Sequence, residues 1–428
     1  MGRNVYISFL GTGAYQETRY VWGDREANPT PYVQSAEMQL LDGDSFDAVY
    51  IVATDAAKAA HYGALLEHLS AEVRKRTLLV SIGEEMSAEG QWGWFEALLG
   101  CVQQGDRLTI DLTHSYRTIP LVAATALNFL RKARGVTVDH VLYGAYEKNR
   151  ERSPIVDIAA FLAVDDWADA VAALFREADA RPLTAVAKNA PEFVAPRLRD
   201  SDLHAHLEAL SVGLRVANVN GIRAAARAAE DRLAVATKSD ATPVERILAE
   251  YSRGLLAPLA GEGPATGRYD LDYYAHQLDL AEKMLAHQLF MQAFTALREF
   301  VGSLGLRGEK KIGSADDRAR RRAADVFYQM VNRKPDVWSF NGREELKAKC
   351  LPTYEAADAC GAVDVLRRSV KILDKLRNGL DHAWTMKSID GVDFADAGQR
   401  IVADFREALA LLASARVVPA AAAEAAEE

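Results

Sequence analysis

Residues 107–121 read RLTIDLTHSYRTIPL. The run into Asp111 is β-branched and bounded, the mark of a buried strand. Pro120 suits the first turn of a helix that follows. Between strand and helix, Thr113, His114, Ser115, Tyr116 and Arg117 crowd into one turn. In an open α/β sheet ligands sit beyond the carboxyl ends of the strands, so this turn is placed to meet one.

The pattern extends outward on both sides. NVYISFL, DAVYIVAT, TLLVSIG and VTVDHVLYGAY read as further strands, with DAAKAAHYGALLEHLSAEV, QWGWFEALLGCVQ and IPLVAATALNFLRKA as helices between them. Such alternation predicts a Rossmann-like head, residues 1–164, with a mostly parallel sheet and helices on both faces. RYVW and PTPYVQS read as a hairpin after the first strand. Beyond Asp165 the strand signal ends. An all-α connector (165–268) reaches a Gly- and Pro-rich loop at 260–270, and an all-α bundle (269–416) follows. The tail, 417–428, is short of large apolar residues and is expected to be disordered.

Composition sets limits. The 428 residues are 49% hydrophobic and 26% charged, the profile of a soluble globular protein. The net charge of −9 means that any nucleic-acid contact must come from a local basic patch. Cys101, Cys350 and Cys360 form no C-x-x-C pair. That argues against a disulfide framework or a cysteine zinc site and suits a reducing cytoplasm. No segment approaches ~18 uninterrupted apolar residues, and the opening apolar run is too short for a signal peptide. The expectation is a cytoplasmic protein with no membrane contact.

At the turn, a helix N-terminus offers unpaired N–H groups, Arg117 a bidentate grip, and Thr113, His114 and Ser115 further donors. Together they favour an anion, most plausibly a phosphodiester. The first strand ends in Gly11-Thr12-Gly13, where missing side chains let a ligand approach the backbone. Gln16 stands where the dinucleotide fingerprint needs its third glycine, which disfavours a nicotinamide or flavin enzyme. No G-x-S-x-G surrounds Ser115, so a serine hydrolase fails as well. A turn of this kind can also do no more than cap its own helix.

ISFLGTGAYQETRY, DLTHSYRTIP and HVLYGAYE, in that order over about 150 residues, resemble the CRISPR-associated Rossmann-fold (CARF) sensor family. The resemblance implies a dimeric receptor for cyclic oligoadenylates, with the tetra-adenylate favoured. It places Gly11, Thr12, Gly13, Thr113, His114, Ser115 and Arg117 around the ligand. A two-fold ring also matches a two-fold dimer that presents the same turn twice.

KLRNGLDHAW in the tail domain resembles the arginine-to-histidine signature of HEPN ribonucleases, with Arg377, Asn378 and His382 in the matching positions. The spacing alone is cheap, since Arg199 with His204 or His206, and Arg134 with His140, also fit it. Context favours Arg377 and His382, which lie late in a bundle behind the basic LRRSVKILDK. Five residues turn a side chain about 140° net around a helix. Either Gly379 ends or loosens the helix, or two chains complete the site between them; the resemblance supports the composite.

The implied reaction needs no metal and no cofactor. Arg377 stabilises charge on the phosphoryl oxygens, His382 exchanges protons near neutral pH, and Asn378 orients the scissile phosphate. His382 as a positioning residue remains an alternative. Arg318, Arg320, Arg321 and Arg322, in the basic stretch 306–325, suit a track for single-stranded RNA. His204 and His206 point in nearly opposite directions on a helix and are no metal pair. The expectation is therefore a homodimeric or larger ribonuclease switched on by cyclic oligoadenylate. Its main rival is a nucleotide-sensing DNA-binding regulator with an inert, dimerising C-terminal domain. A third reading has the head degrade its own ligand through His114 and Ser115.

Overall fold

The computed structural model describes residues 2–114, 118–146, 151–238, 240–261, 267–309, 317–340, 342–381 and 392–420, the side chains of Asp317 and Arg318 aside. The chain divides into two compact units, Met1–Asp165 and Asp166–Glu428.

The first unit is built on eight strands: β1 (Asn4–Leu10), β2 (Arg19–Trp22), β3 (Arg25–Glu26), β4 (Ala48–Ala53), β5 (Thr77–Ser81), β6 (Arg107–Asp111), β7 (Thr137–Gly144) and β8 (Arg152–Asp157). They form one sheet in the order β3-β2-β8-β7-β6-β1-β4-β5. From β7 to β5 all pairings are parallel. At the other edge β8 runs antiparallel to β7 and parallel to β2, which pairs antiparallel with β3. Its helices are α1 (Val33–Leu40), α2 (Asp55–Ala57), α3 (Gly63–His68), α4 (Ala71–Arg76), α5 (Ala88–Cys101) and α6 (Ile119–Arg134), with a wide turn at Lys58–Tyr62.

The strand period of two sorts β1 between two cores. Val5, Ile7 and Phe9 join Leu98, Ala123 and Leu127 on one face. Tyr6 and Leu10 join Val49, Ile51 and Leu65 on the other. Each fully buried aliphatic or Phe side chain of this set contributes roughly 1.5–3 kcal/mol. After an excursion through β2 and β3 at the far edge, the chain lays β4 and β5 on one side of β1, then returns to lay β6 against its other side. That reversal opens a crevice at the carboxyl ends of β1 and β6.

One expectation needs correction here, and one strand was not foreseen. PTPYVQS is not a strand: Val33 opens α1, all of whose residues except Gln39 are buried. Gln34 and Glu37 occupy its inner face and disguise the helical pattern. RSPIVD, in contrast, is strand β8, although Pro154 argues against a ladder. It lies near the sheet edge, where only β2 and β3 flank it on that side.

Helix α7 (Ala160–Glu177) spans the boundary at Asp165, and the second unit is helical: α8 (Arg181–Asn189), α9 (Ser201–Arg215), α10 (Val219–Ala236), α11 (Pro243–Ala260), α12 (Leu271–Ala286), α13 (Phe290–Ser303), α14 (Asp317–Asn332), α15 (Glu344–Ala359), α16 (Ala362–Asp381) and α17 (Phe394–Ser414) follow. Tyr274, Phe294, Phe300, Phe327 and Phe405 fill its core, with Phe300 and Phe405 stacked at 5.4 Å. The expected disorder does not begin at Val417. Val417 and Val418 are buried, the Val417 carbonyl accepts from Arg307 at 2.5 Å, and the Pro419 carbonyl accepts from Leu271 N–H at 3.0 Å. Two β-branched side chains supply the apolar surface that anchors them; residues 421–428 lie outside the described residues. No helix among the described residues is long and apolar enough to cross a membrane.

Candidate functional site

The crevice between β1 and β6 brings the two polar turns together. The Tyr15 ring stacks on His114 at 3.9 Å and on His61 at 4.2 Å, both nearly parallel. Tyr15 Oη accepts from Gly11 N–H at 2.8 Å and donates to the Gly11 carbonyl at 3.2 Å. His61 Nε2 donates to the Gly13 carbonyl at 2.8 Å. A Cβ on Gly11 would stand 3.2 Å from the His114 carbonyl, so a side chain there would push the two turns apart. Thr12 and Gly13 are exposed at the rim.

Beneath this stack lies a buried polar floor. Asp111 accepts from Ser8 Oγ at 2.6 Å, from Thr113 N–H at 2.9 Å and from the Thr113 hydroxyl. Thr113 Oγ1 in turn accepts from Gly144 N–H at 2.7 Å. Thr113 is thus a strut between the ends of β6 and β7, its hydrogen spent on Asp111. Gln34 donates to Ser8 Oγ and the Phe9 carbonyl, and Tyr6 Oη donates to Glu37 at 2.5 Å.

Burial lifts the Asp111 carboxyl to about 6 despite its hydrogen bonds. Burial, then the Asp111 charge, holds Glu37 well above the usual carboxylate range. Burial, then the charge of His61, pushes His114 down to about 4. At neutral pH His114 is therefore an uncharged ring rather than a cation, and its buried Nε2 has no partner among the described residues. The N-cap of α6 is Thr118, whose side chain makes no capping bond and whose hydroxyl is buried with no partner among the described residues. A flat ring stack, uncommitted polar atoms and a helix start together suit a ligand with flat bases and acceptor oxygens. Ser115, Tyr116 and Arg117 lie outside the described residues.

In the helical unit, α16 carries Arg377 and Asn378 and continues through Gly379 to Asp381, so Gly379 does not end it. Arg377 Nη2 pairs with Asp381 at 3.0 Å, while its Nε is buried with no partner among the described residues. One turn earlier, Asp374 accepts from Tyr328 at 2.5 Å and from Asn332 at 2.7 Å. Asn378 is exposed. His382 lies outside the described residues.

The other arginine–histidine spacings have structural employment. Arg134 bonds the Leu99 carbonyl while His140 pairs with Asp157 at 2.6 Å. Arg199 bonds the Ala190 carbonyl, and buried His204 donates to the Leu198 carbonyl at 2.8 Å. In the basic stretch Arg320 is half-buried, Arg321 and Arg322 are exposed, and the Arg318 side chain lies outside the described set. No group of three His, Cys, Asp or Glu side chains among the described residues is arranged to hold a metal ion.

The chain shares sequence with a CRISPR-associated protein. Over 75 residues, 17% of this chain, it is 33% identical to the CRISPR-associated protein MJ1674 of Methanocaldococcus jannaschii, and the match spans 12% of that protein. Among solved structures it is similar to Enterococcus italicus Csm6 bound to cyclic hexa-2'-fluoro-hexa-dAMP. That similarity has 11% identity, 98% of this chain and 95% of that chain covered, and a TM-score of 0.44. No family model matches the chain.

Sequence reading missed Tyr15, His61, Gln34 and Glu37. Tyr15 lay inside the quoted GTGAYQ. His61 becomes meaningful only once β4 is known to neighbour β1, which brings the turns after β1, β4 and β6 to one edge.

Proposed function

We propose that the chain is a single-stranded RNA endoribonuclease of CRISPR antiviral defence, switched on by a cyclic oligoadenylate and acting without a metal. The observation that carries the receptor half is the meeting of the Gly11–Gly13 and Thr113–His114 turns at the strand-order reversal. There Tyr15 stacks on His114, and His114 Nε2 and the Thr118 hydroxyl are buried with no partner among the described residues. Adenine rings stack on such a platform, and phosphodiesters suit a helix start with an arginine two or three residues away. The 33% identity to a CRISPR-associated protein supports the same reading. A homodimer would present the turn twice to a two-fold ring.

The ribonuclease half rests on KLRNGLDHAW and its resemblance to HEPN enzymes. The ribose 2′-oxygen attacks the neighbouring phosphorus and loses its proton, and the bond to the 5′-oxygen breaks. The products are a cyclic phosphate and a 5′-hydroxyl that has gained a proton. Arg377 balances charge on the non-bridging oxygens, His382 moves the protons, and Asn378 holds the phosphate. Arg318, Arg320, Arg321 and Arg322 would steer the strand.

The test combines pure protein, labelled single-stranded RNA and EDTA with cyclic tetra- or hexa-adenylate in turn. Cleavage is expected only with a ring present, the tetramer being favoured. It should vanish in Arg377→Ala and His382→Ala while ring binding persists. Sequence-selective DNA binding with no RNA cleavage under any condition would replace this reading with a DNA-binding regulator.

A further inference from the structure

The helical unit contains a cavity of about 310 Å³ whose lining includes Tyr269, Tyr273, Gln277, Glu299, Arg320 and Arg321. Gln277 is 1% exposed. Its Nε2 donates to the Ala296 carbonyl at 3.1 Å, which fixes the amide, yet its Oε1 is buried with no partner among the described residues. A buried acceptor left unspent carries a desolvation cost that a donor from a ligand would remove. Glu299 adds a carboxylate on the same lining, its Oε1 held by Arg298 at 2.8 Å. Tyr269 and Tyr273 meet edge to face at 5.1 Å and give the cavity aromatic walls. Arg320 and Arg321 bring two guanidinium groups from the first turn of α14.

The lining therefore asks for three things in one molecule: a hydrogen-bond-donating edge, a flat aromatic body and an anion. A bare anion would leave the Gln277 acceptor unspent, and an apolar guest would offer the Arg321 guanidinium no counter-charge. We propose that this cavity is a subsite for one nucleoside 5′-phosphate unit, free or as a link in an RNA chain. The amino edge of the base would meet Gln277 and Glu299, the ring the two tyrosines, and the phosphate Arg320 and Arg321. The volume suits a single nucleotide, at the small end of ligand pockets, which run from about 300 to 1,000 Å³. Where the occupant is RNA this adds a base-selective subsite to the ribonuclease reading, but it does not depend on cleavage.

The experiment is calorimetric titration of the full chain with AMP, GMP, CMP, UMP, the four nucleosides and inorganic phosphate. Nucleotides whose bases carry an exocyclic amine should bind about tenfold more tightly than UMP, the discrimination of one good base-edge contact. Gln277→Leu should erase that preference. Arg321→Ala, at an exposed position that leaves folding intact, should weaken every nucleotide about tenfold, as loss of a charge-assisted contact does, and leave nucleosides unchanged. Competition by short oligoribonucleotides would assign the cavity to RNA; failure to compete would assign it to a free nucleotide. Absence of saturable binding at millimolar nucleotide, or equal affinity in the parent and both variants, would overturn the subsite. Nucleotide binding without ring-dependent cleavage would sink the ribonuclease reading alone.

Discussion

The two units keep their polar groups in different states. In the α/β unit, Asp111, Thr113, Ser8 and Gln34 are interlocked beneath the strand ends. Each is buried or half-buried, and breaking any link strands its partner. In the helical unit, Arg377 answers Asp381 at 3.0 Å with both side chains partly in water, and Arg406 shares Asp279 and Glu282 in the same manner. A buried network fixes geometry because its members have no alternative partners. A hydrated ion pair is worth little and exchanges readily. The first arrangement suits a receptor that must hold its shape before the ligand arrives. The second suits an arginine that must trade a carboxylate for a phosphate.

The sharpest way to break that contrast is to remove the exchangeable cation. Arg377→Ala should lower ring-activated RNA cleavage by roughly 10²–10³-fold, as loss of a charge-stabilising donor does elsewhere. Thermal stability should barely move, and ring binding measured by calorimetry should be unchanged. An equal loss of ring affinity would mean that the two clusters do not have separate tasks.

Next in size is a pH effect hidden by cancellation. The Asp111 carboxyl sits at about 6 when folded against about 3.9 in an unfolded chain. Its contribution to stability is full below about pH 4 and is lost as pH rises through about 6. His114 sits at about 4 against about 6.5 unfolded. Its contribution is full above about pH 6.5 and is lost as pH falls through about 4. The two swings, at most about 3 and about 3.5 kcal/mol, have opposite sign. His114→Phe, left with the Asp111 titration alone, should gain stability as pH falls from about 6 to about 4, and Asp111→Asn, left with the His114 titration alone, should lose it as pH falls from about 6.5 to about 4. Denaturant titrations at several pH values read this directly; parallel profiles in all three proteins would remove the buried pair from consideration.

The legible parts of the molecule were those in which local chemistry and final environment agree. NVYISFL, AVYIVA and RLTID declare themselves because β-branched runs are buried on both faces of a parallel sheet. The Thr113–His114 turn is legible as the link from β6 to α6, because the β-branched run stops at Asp111 and Pro120 suits a helix start. Helix α1 did not, since Gln34 and Glu37 turn inward to serve Ser8 and Tyr6 rather than outward to water. Strand β8 hid behind Pro154, tolerated near the edge of the sheet. The Tyr15–His61–His114 stack joins residues from three turns, and no local pattern encodes which turns become neighbours. Arg377 and His382 stood out through resemblance, because the same spacing recurs at Arg134 and Arg199, where it serves packing.

A smaller effect probes the floor of the crevice. Thr113→Val keeps the shape but takes away the hydroxyl between Asp111 and Gly144 N–H. It should cost about 1–3 kcal/mol by leaving a buried N–H unsatisfied. Arg406→Ala, which cuts two hydrated pairs, should cost less than about 1 kcal/mol. A reversed order in urea denaturation would undo the distinction between interlocked and exchangeable polar groups.

The smallest effect tests whether the Arg377 pair is a restraint on the cation. Asp381 stands one turn beyond Arg377, and the two side chains retain 24% and 29% exposure. Arginine preceding the acid is the weaker order for a pair four apart, because each charge then opposes the helix dipole. The pair therefore contributes little to folding, and Asp381→Asn should change stability by less than about 0.5 kcal/mol. For RNA the consequence differs. A phosphate must displace the carboxylate before Arg377 can hold it, so the neutral variant should bind single-stranded RNA about two- to fivefold more tightly, the equivalent of one exposed ion pair. Raising salt to about 1 M shortens the screening length to about 3 Å and should abolish the difference. Equal affinity of parent and variant at low salt would mean that Asp381 does not compete with phosphate for this guanidinium.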